Sequence, residues 1–146
     1  MAENRSSEES LGKRLAHTLS TANPSGVISA YLFGSHAAGR AHRESDVDVA
    51  VLLSRTAFES AEARFRERVR LSAWLVGELR RNLVDVVVLN DVPPTFARRI
   101  VTTGLRVFCN DAEADHAFRR DAQLRAADLE PFLQRMRRLK LAALAR

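Results

Sequence analysis

In 146 residues the chain has one cysteine, four prolines, six glycines, one tryptophan and one tyrosine. The lone Cys109 excludes an internal disulfide framework and a cysteine-based zinc cage. No apolar run approaches the roughly 18 to 20 residues that span a membrane. The opening MAENRSSEES is polar and carries three glutamates, so it reads neither as a secretory signal nor as a transit peptide. The expected compartment is the cytoplasm, with no membrane association. Lysine is scarce as well: 21 of the 23 basic residues are arginine, leaving Lys13 and Lys140. The net charge of +5 invites a phosphate-rich partner. An arginine skew is equally what a GC-rich coding sequence produces, and net charge alone says little about function. Direct nucleic-acid binding is therefore not expected as the main role. The four histidines, at 17, 36, 42 and 116, show no metal-ligand spacing.

What is present is enough for one folded domain. Hydrophobic residues make up 46% and charged residues 28%, which excludes chain-wide disorder. A compact chain of 16.3 kDa exposes about 7,500 Å². Residues 1–7 read as a frayed polar tail. Leu11, Leu15 and Leu19, four apart, predict a helix over 8–21. After the turn at Asn23-Pro24-Ser25-Gly26 comes a β-prone run, Val27 to Phe33. Val47 to Leu53 and Leu83 to Leu89 read as two more strands, and Leu105 to Cys109 as a fourth. A long helix is expected over 56–82, with Phe58, Ala61, Phe65, Val69, Ala73 and Val76 on its inner face. Arg64, Arg66, Arg68 and Arg70 on that helix read as a solvated face. A short helix over 95–103 stops at Gly104. Helical periodicity returns from Ala112, with Pro131 expected to start a new segment or kink the old one. The C-terminal apolar stripe (Leu129, Phe132, Met136, Leu139) reads most simply as core, any excess being a partner surface. The fold class is α/β: one domain with a C-terminal helical tail.

Three features carry chemistry together. Gly34-Ser35 directly follows the first strand, where glycine admits close approach of backbone N–H groups to an anion. Alone such a pair is often only a turn. Ser45-Asp46-Val47-Asp48 opens the second strand. Alternation along a strand points Asp46 and Asp48 one way and Val47 and Val49 into the core. The two carboxylates lie roughly 6 to 7 Å apart and repel by about 2.5 kcal/mol at an effective dielectric near 20. Mg²⁺ relieves that repulsion, because it prefers hard oxygen ligands. An exposed strand edge is the plainer account of an isolated Asp-x-Asp. Asp85 interrupts the apolar LVDVVVL, which is costly in a central strand unless the charge is compensated. Three carboxylates on neighbouring strands beside a Gly-Ser loop suggest two-metal phosphoryl or nucleotidyl transfer.

Gly34-Ser35, Asp46-Val47-Asp48 and Asp85 resemble the signature of the DNA polymerase beta-type nucleotidyltransferase superfamily. The run VDVVVLND…PPTFARRIVTTGLRVFCND resembles the minimal nucleotidyltransferases (MNT proteins), among them antitoxin partners of HEPN ribonuclease toxins. The resemblance covers about residues 25–110. It implies a mixed sheet flanked by helices, within a domain at 8–110, and C-terminal helices at 111–146 packed on the domain or on a partner. It implies two Mg²⁺ ions held by Asp46, Asp48 and Asp85, with ATP as substrate. Gly34 and Ser35 would hold the triphosphate, with Arg40 and Ser45 as further nucleotide contacts. The implied activity is transfer of AMP to a tyrosine of a HEPN toxin, within a hetero-oligomer, silencing the toxin. Two alternatives stay open: an antitoxin that acts by binding alone, and a nucleotidyltransferase for small molecules. One departure is that Ala38 stands where many relatives carry arginine, with Arg40 two positions on.

Overall fold

In the computed structural model the described residues are 2–34, 46–81 and 83–145, with side chains described from Leu11 onward. The elements are α1 (Ala2–Ala22), β1 (Val27–Phe33), β2 (Val47–Leu53), α2 (Ala61–Leu79), β3 (Val84–Val88), a 3-10 turn (Leu89–Asp91), α3 (Pro94–Thr103), β4 (Leu105–Cys109) and α4 (Ala112–Leu144). The sheet order is β3-β2-β1-β4. β1 is antiparallel to both β2 and β4, and β2 is parallel to β3. The mixed sheet flanked by helices is the expected α/β architecture, and all four strands lie where the apolar runs put them.

Strand alternation divides the core in two. On one face Val47, Val49, Val51 and Leu53 of β2 and Val84, Val86 and Val88 of β3 pack with Leu11, Leu15 and Leu19 of α1 and Leu71, Leu75 and Leu79 of α2. On the other face Tyr31, Ala50 and Leu52 pack with Ala97, Ile100 and Val101 of α3 and Ala122 of α4. Ser60 caps α2 by accepting from the Ala63 N–H at 3.0 Å, and Asp111 caps α4 by accepting from Ala114 at 3.0 Å. Both satisfy donors that a helix start leaves unpaired.

Four expectations are corrected. α1 starts at Ala2, so the backbone of residues 2–7 is helical where a frayed tail was expected. α2 is shorter than 56–82 and turns a different face inward. Its buried leucines are 71, 75 and 79, whereas Phe65 and Val69 are 59% and 53% exposed. The leucine ladder, four residues apart, packs on the sheet, with Phe58 and Val76 partly buried beside it. Arg64 is not solvated: it is buried, its Nε donating to both Asp91 oxygens at 3.1 and 2.9 Å and its Nη1 to the Phe58 carbonyl at 3.0 Å. α4 runs through Pro131 as one helix. That position is exposed, so the carbonyl deprived of its intrahelical donor faces water.

The first half of α4 is fastened to the sheet by a buried carboxylate. Asp115 is fully buried and accepts from the Ser29 hydroxyl at 2.7 Å, the Tyr31 hydroxyl at 2.6 Å and Arg106 Nη1 at 2.9 Å. Burial pushes its carboxyl up, but the three hydrogen bonds and the Arg106 charge outweigh this and hold it below the usual range. Tyr31 is pushed from 10.0 to about 12, by burial first and by Asp115 second. A lowered Asp115 stabilises the fold above the ordinary carboxylate range and stops doing so as pH falls through its folded value. A raised Tyr31 stabilises below pH 10 and stops doing so as pH climbs from there towards 12. Asp115→Ala orphans two buried hydroxyls, so it is expected to cost about 3 kcal/mol. That is roughly 10 °C in melting temperature for a domain this size. Thermal melts across pH check both the loss and its acid and alkaline limits.

Candidate active site

Asp48 is the second residue of β2. Its neighbours Val47 and Val49 are fully buried against α1 and α2, so the carboxylate lies on the opposite face. In the antiparallel register Asp48 sits across from Phe33, the last residue of β1. In the parallel register it sits across from Asp85 of β3. Asp85 lies between the buried Val84 and Val86 and so shares the Asp48 face. Asp46 immediately precedes β2 and is exposed, while Asp48 is half-buried. Asp48 and Asp85 thus stand at one end of the sheet on adjoining strands, with Asp46 just before β2.

Gly34 follows β1 with φ +76°, a left-handed conformation that suits glycine. A side chain there would run into the Asp48 carboxylate. The β1 terminus is held from the other side by Phe33, whose ring meets Phe96 of α3 edge-on at 6.0 Å. Gly34 is therefore the floor on which the Asp48 carboxylate rests. Ser35, Arg40 and Ser45 lie outside the described residues, as do His36, Ala38, His42 and Arg43.

Asp85 has a partner that the sequence reading missed. Arg68 Nη2 of α2 stands 3.4 Å from its Oδ1, the two side chains being 42% and 50% exposed. A solvated pair of this kind contributes about 0 to 1 kcal/mol, so Asp85 can change partner at little cost. Beside the pair is a groove of about 250 Å³ lined by Ala61, Phe65, Arg68, Val87, Asp91 and Val92, among others. Buried Arg64 fixes one wall of it by tying α2 to Asp91. Phe65 and Arg68 lie three apart on α2, one helical face. That spacing was the available signal for the groove.

Among the described residues no three His, Cys, Asp or Glu side chains already converge as one metal cage. The donor set nevertheless fits a hard divalent cation. Asp48 and Asp85 are register partners on adjacent strands, with Asp46 two residues from Asp48, and carboxylate oxygens are the ligands such a cation prefers. The Gly34 cradle holds one of them in place.

Residues 13–113 match the family model for polymerase beta nucleotidyltransferases. The chain belongs to that family. Its nucleotidyltransferase fold extends to solved toxin–antitoxin structures. A toxin–antitoxin crystal structure with AMP-PNP matches with 24% identity and a TM-score of 0.64, covering 92% of this chain and 98% of the other. The MntA–HepT toxin–antitoxin matches with 22% identity and a TM-score of 0.59, over 94% and 99%. The MNT antitoxin complex of a tri-AMPylated HEPN toxin from Shewanella oneidensis matches with 22% identity and a TM-score of 0.59, over 94% and 98%. No curated protein matches the sequence significantly. Among the described residues no helix is long and apolar enough to cross a membrane.

Gly34→Ala puts a methyl group into the Asp48 carboxylate and forces a left-handed alanine. The expected loss is about 1 to 2 kcal/mol from the backbone alone, read as a lowered melting temperature, together with lost nucleotide binding.

Proposed function

We propose that this nucleotidyltransferase is an antitoxin that transfers AMP from ATP to a tyrosine hydroxyl of a HEPN-type toxin. The observation that supports this reading is the register that pairs Asp48 with Asp85 and sets Asp48 against Gly34, with Asp46 just before β2. The AMP-PNP and AMPylated-toxin neighbours support the nucleotide and the acceptor. In the proposal Gly34 and Ser35 receive the triphosphate, with Arg40 and Ser45 beside them. Asp46, Asp48 and Asp85 would hold two Mg²⁺ ions, which would supply charge neutralisation for the transfer. The tyrosine oxygen bonds to the α-phosphorus as the bond to pyrophosphate breaks in line. Asp85, released from Arg68, takes the hydroxyl proton. The groove beside Asp85 is the side from which the acceptor segment arrives, with Phe65 as its apolar wall.

The same reading assigns the partner surface. The second half of α4 was expected as core, but Leu129, Phe132, Met136 and Leu139 are 38, 54, 49 and 61% exposed. Their 3-4-3 spacing forms a helical seam. The chain exposes 9608 Å² against the roughly 7,500 Å² of a compact monomer its mass, and this half-helix contributes to the surplus. Residues 131–146 carry five basic and no acidic side chains. The seam therefore suits an apolar, acid-rimmed helix of the toxin.

Incubation of the purified chain with labelled ATP, Mg²⁺ and its HEPN-type toxin is expected to label the toxin. Asp48→Asn is expected to lower the rate roughly a thousandfold, about 4 kcal/mol in barrier. Equal labelling by Asp48→Asn sinks the catalytic assignment. The exposed α4 seam also favours a second reading, inhibition by contact alone, in which Asp48→Asn still rescues cells expressing the toxin. Phe132→Asp with Met136→Asp separates the two surfaces. It is expected to abolish co-purification with the toxin and to leave the melting temperature within about 0.5 kcal/mol of wild type in stability, because both side chains are exposed.

A further inference from the structure

A second cavity, of about 380 Å³, lies against β4 and the first half of α4. It is lined by Arg106, Asp115, His116, Arg119, Arg120 and Gln123. The four α4 residues from His116 to Gln123 follow an i, i+3, i+4, i+7 pattern and so share one helix face. Its volume is within the range of small-ligand sites. Three guanidiniums line it against one carboxylate, and that carboxylate is committed: Asp115 accepts from Ser29, Tyr31 and Arg106. Arg119 reaches only the Tyr31 hydroxyl, at 3.4 Å, and lies 6.0 Å from that ring's centroid. Among the described residues Arg120 and His116 have no hydrogen bond or ion pair.

Several other helix arginines of the described chain have a carboxylate beside them. Arg66 meets Glu62, Arg70 meets Glu67, Arg98 meets Glu130 and Arg125 meets Asp121. Around the cavity the positive charge is left uncompensated within reach. A guanidinium offers its donors as a planar fork that matches phosphate oxygens. Forks from two elements, β4 and α4, can be met at once by the several oxygens of one phosphate group.

We infer that this cavity is a second anion site, separate from Gly34 and the aspartates, which binds the phosphate groups of a small phosphorylated ligand. Arg119 and Arg120 supply the free donors. Arg106, anchored by Asp115, is the fixed wall. The inference rests on no part of the nucleotidyl-transfer reading.

Calorimetric titration of the full chain with inorganic pyrophosphate, in EDTA so that no metal-dependent binding contributes, tests it. Wild type is expected to bind one pyrophosphate at this site, and Arg119→Gln with Arg120→Gln to weaken it at least about tenfold. Acetate is expected not to compete. Arg120→Gln alone, an exposed residue with no described partner, is expected to weaken binding without moving the melting temperature, which separates a ligand contact from a folding defect. Unchanged pyrophosphate affinity in both variants overturns the inference. So does a surface that ignores pyrophosphate and instead binds a short single-stranded RNA through Arg119 and Arg120.

Discussion

Everything at the candidate active site depends on the pairing register of β2. Burial of Val47, Val49, Val51 and Leu53 against α1 and α2 leaves the intervening positions no choice of face. A slip of one residue would turn Asp48 into the face packed on α1 and α2 and would exchange the side chains of the two core faces, since Ala50 and Leu52 pack on α3 and α4. Burying an unpaired carboxylate costs several kcal/mol, so the hydrophobic pattern and the charge pattern enforce the same register. β1 and β3 then inherit it. Phe33 and Gly34 arrive beside Asp48 on one side, and Asp85 arrives on the other. The placement of Asp48 and Asp85 is thus a by-product of core packing, at the end of two paired strands.

The opposite edge of the sheet uses charge differently. Asp115 is the one described carboxylate with no exposure at all, and its hydrogen bonds are what fasten α4 to β1 and β4. Beyond Ala126 no described α4 residue is buried, though Glu130 still meets Arg98 of α3. The remaining helix projects its apolar seam and its cations outward, which a stable monomer has no reason to do. A single helix therefore has one half that completes the domain and another that is suited to a second molecule.

Much of this was legible in the sequence. The four strands follow from short β-branched runs ended by turn residues. The aspartate pair and Asp85 were visible because charges interrupt those runs. Less visible was anything that depends on which side of a helix faces the sheet. In α2 two apolar stripes compete, and only contact with β3 selects the leucines at 71, 75 and 79 over Phe65 and Val69. For the same reason Arg64 read as solvated, since its carboxylate partner Asp91 is 27 residues away in sequence. Asp115 carried no signal in the sequence, because its partners Ser29 and Tyr31 lie more than 80 positions earlier. The α4 seam read as core because periodicity records that a face is apolar, not what covers it.

The central claim is that the β2 register builds a site for transfer of a nucleotide to a partner protein. Intact-mass spectrometry of the HEPN-type toxin after incubation with the chain, ATP and Mg²⁺ tests it most directly. The account predicts a toxin heavier by whole AMP units, with the addition lost for Asp46→Asn and for Asp48→Asn. An unmodified toxin that is nonetheless neutralised, or a modification that survives both substitutions, would contradict it.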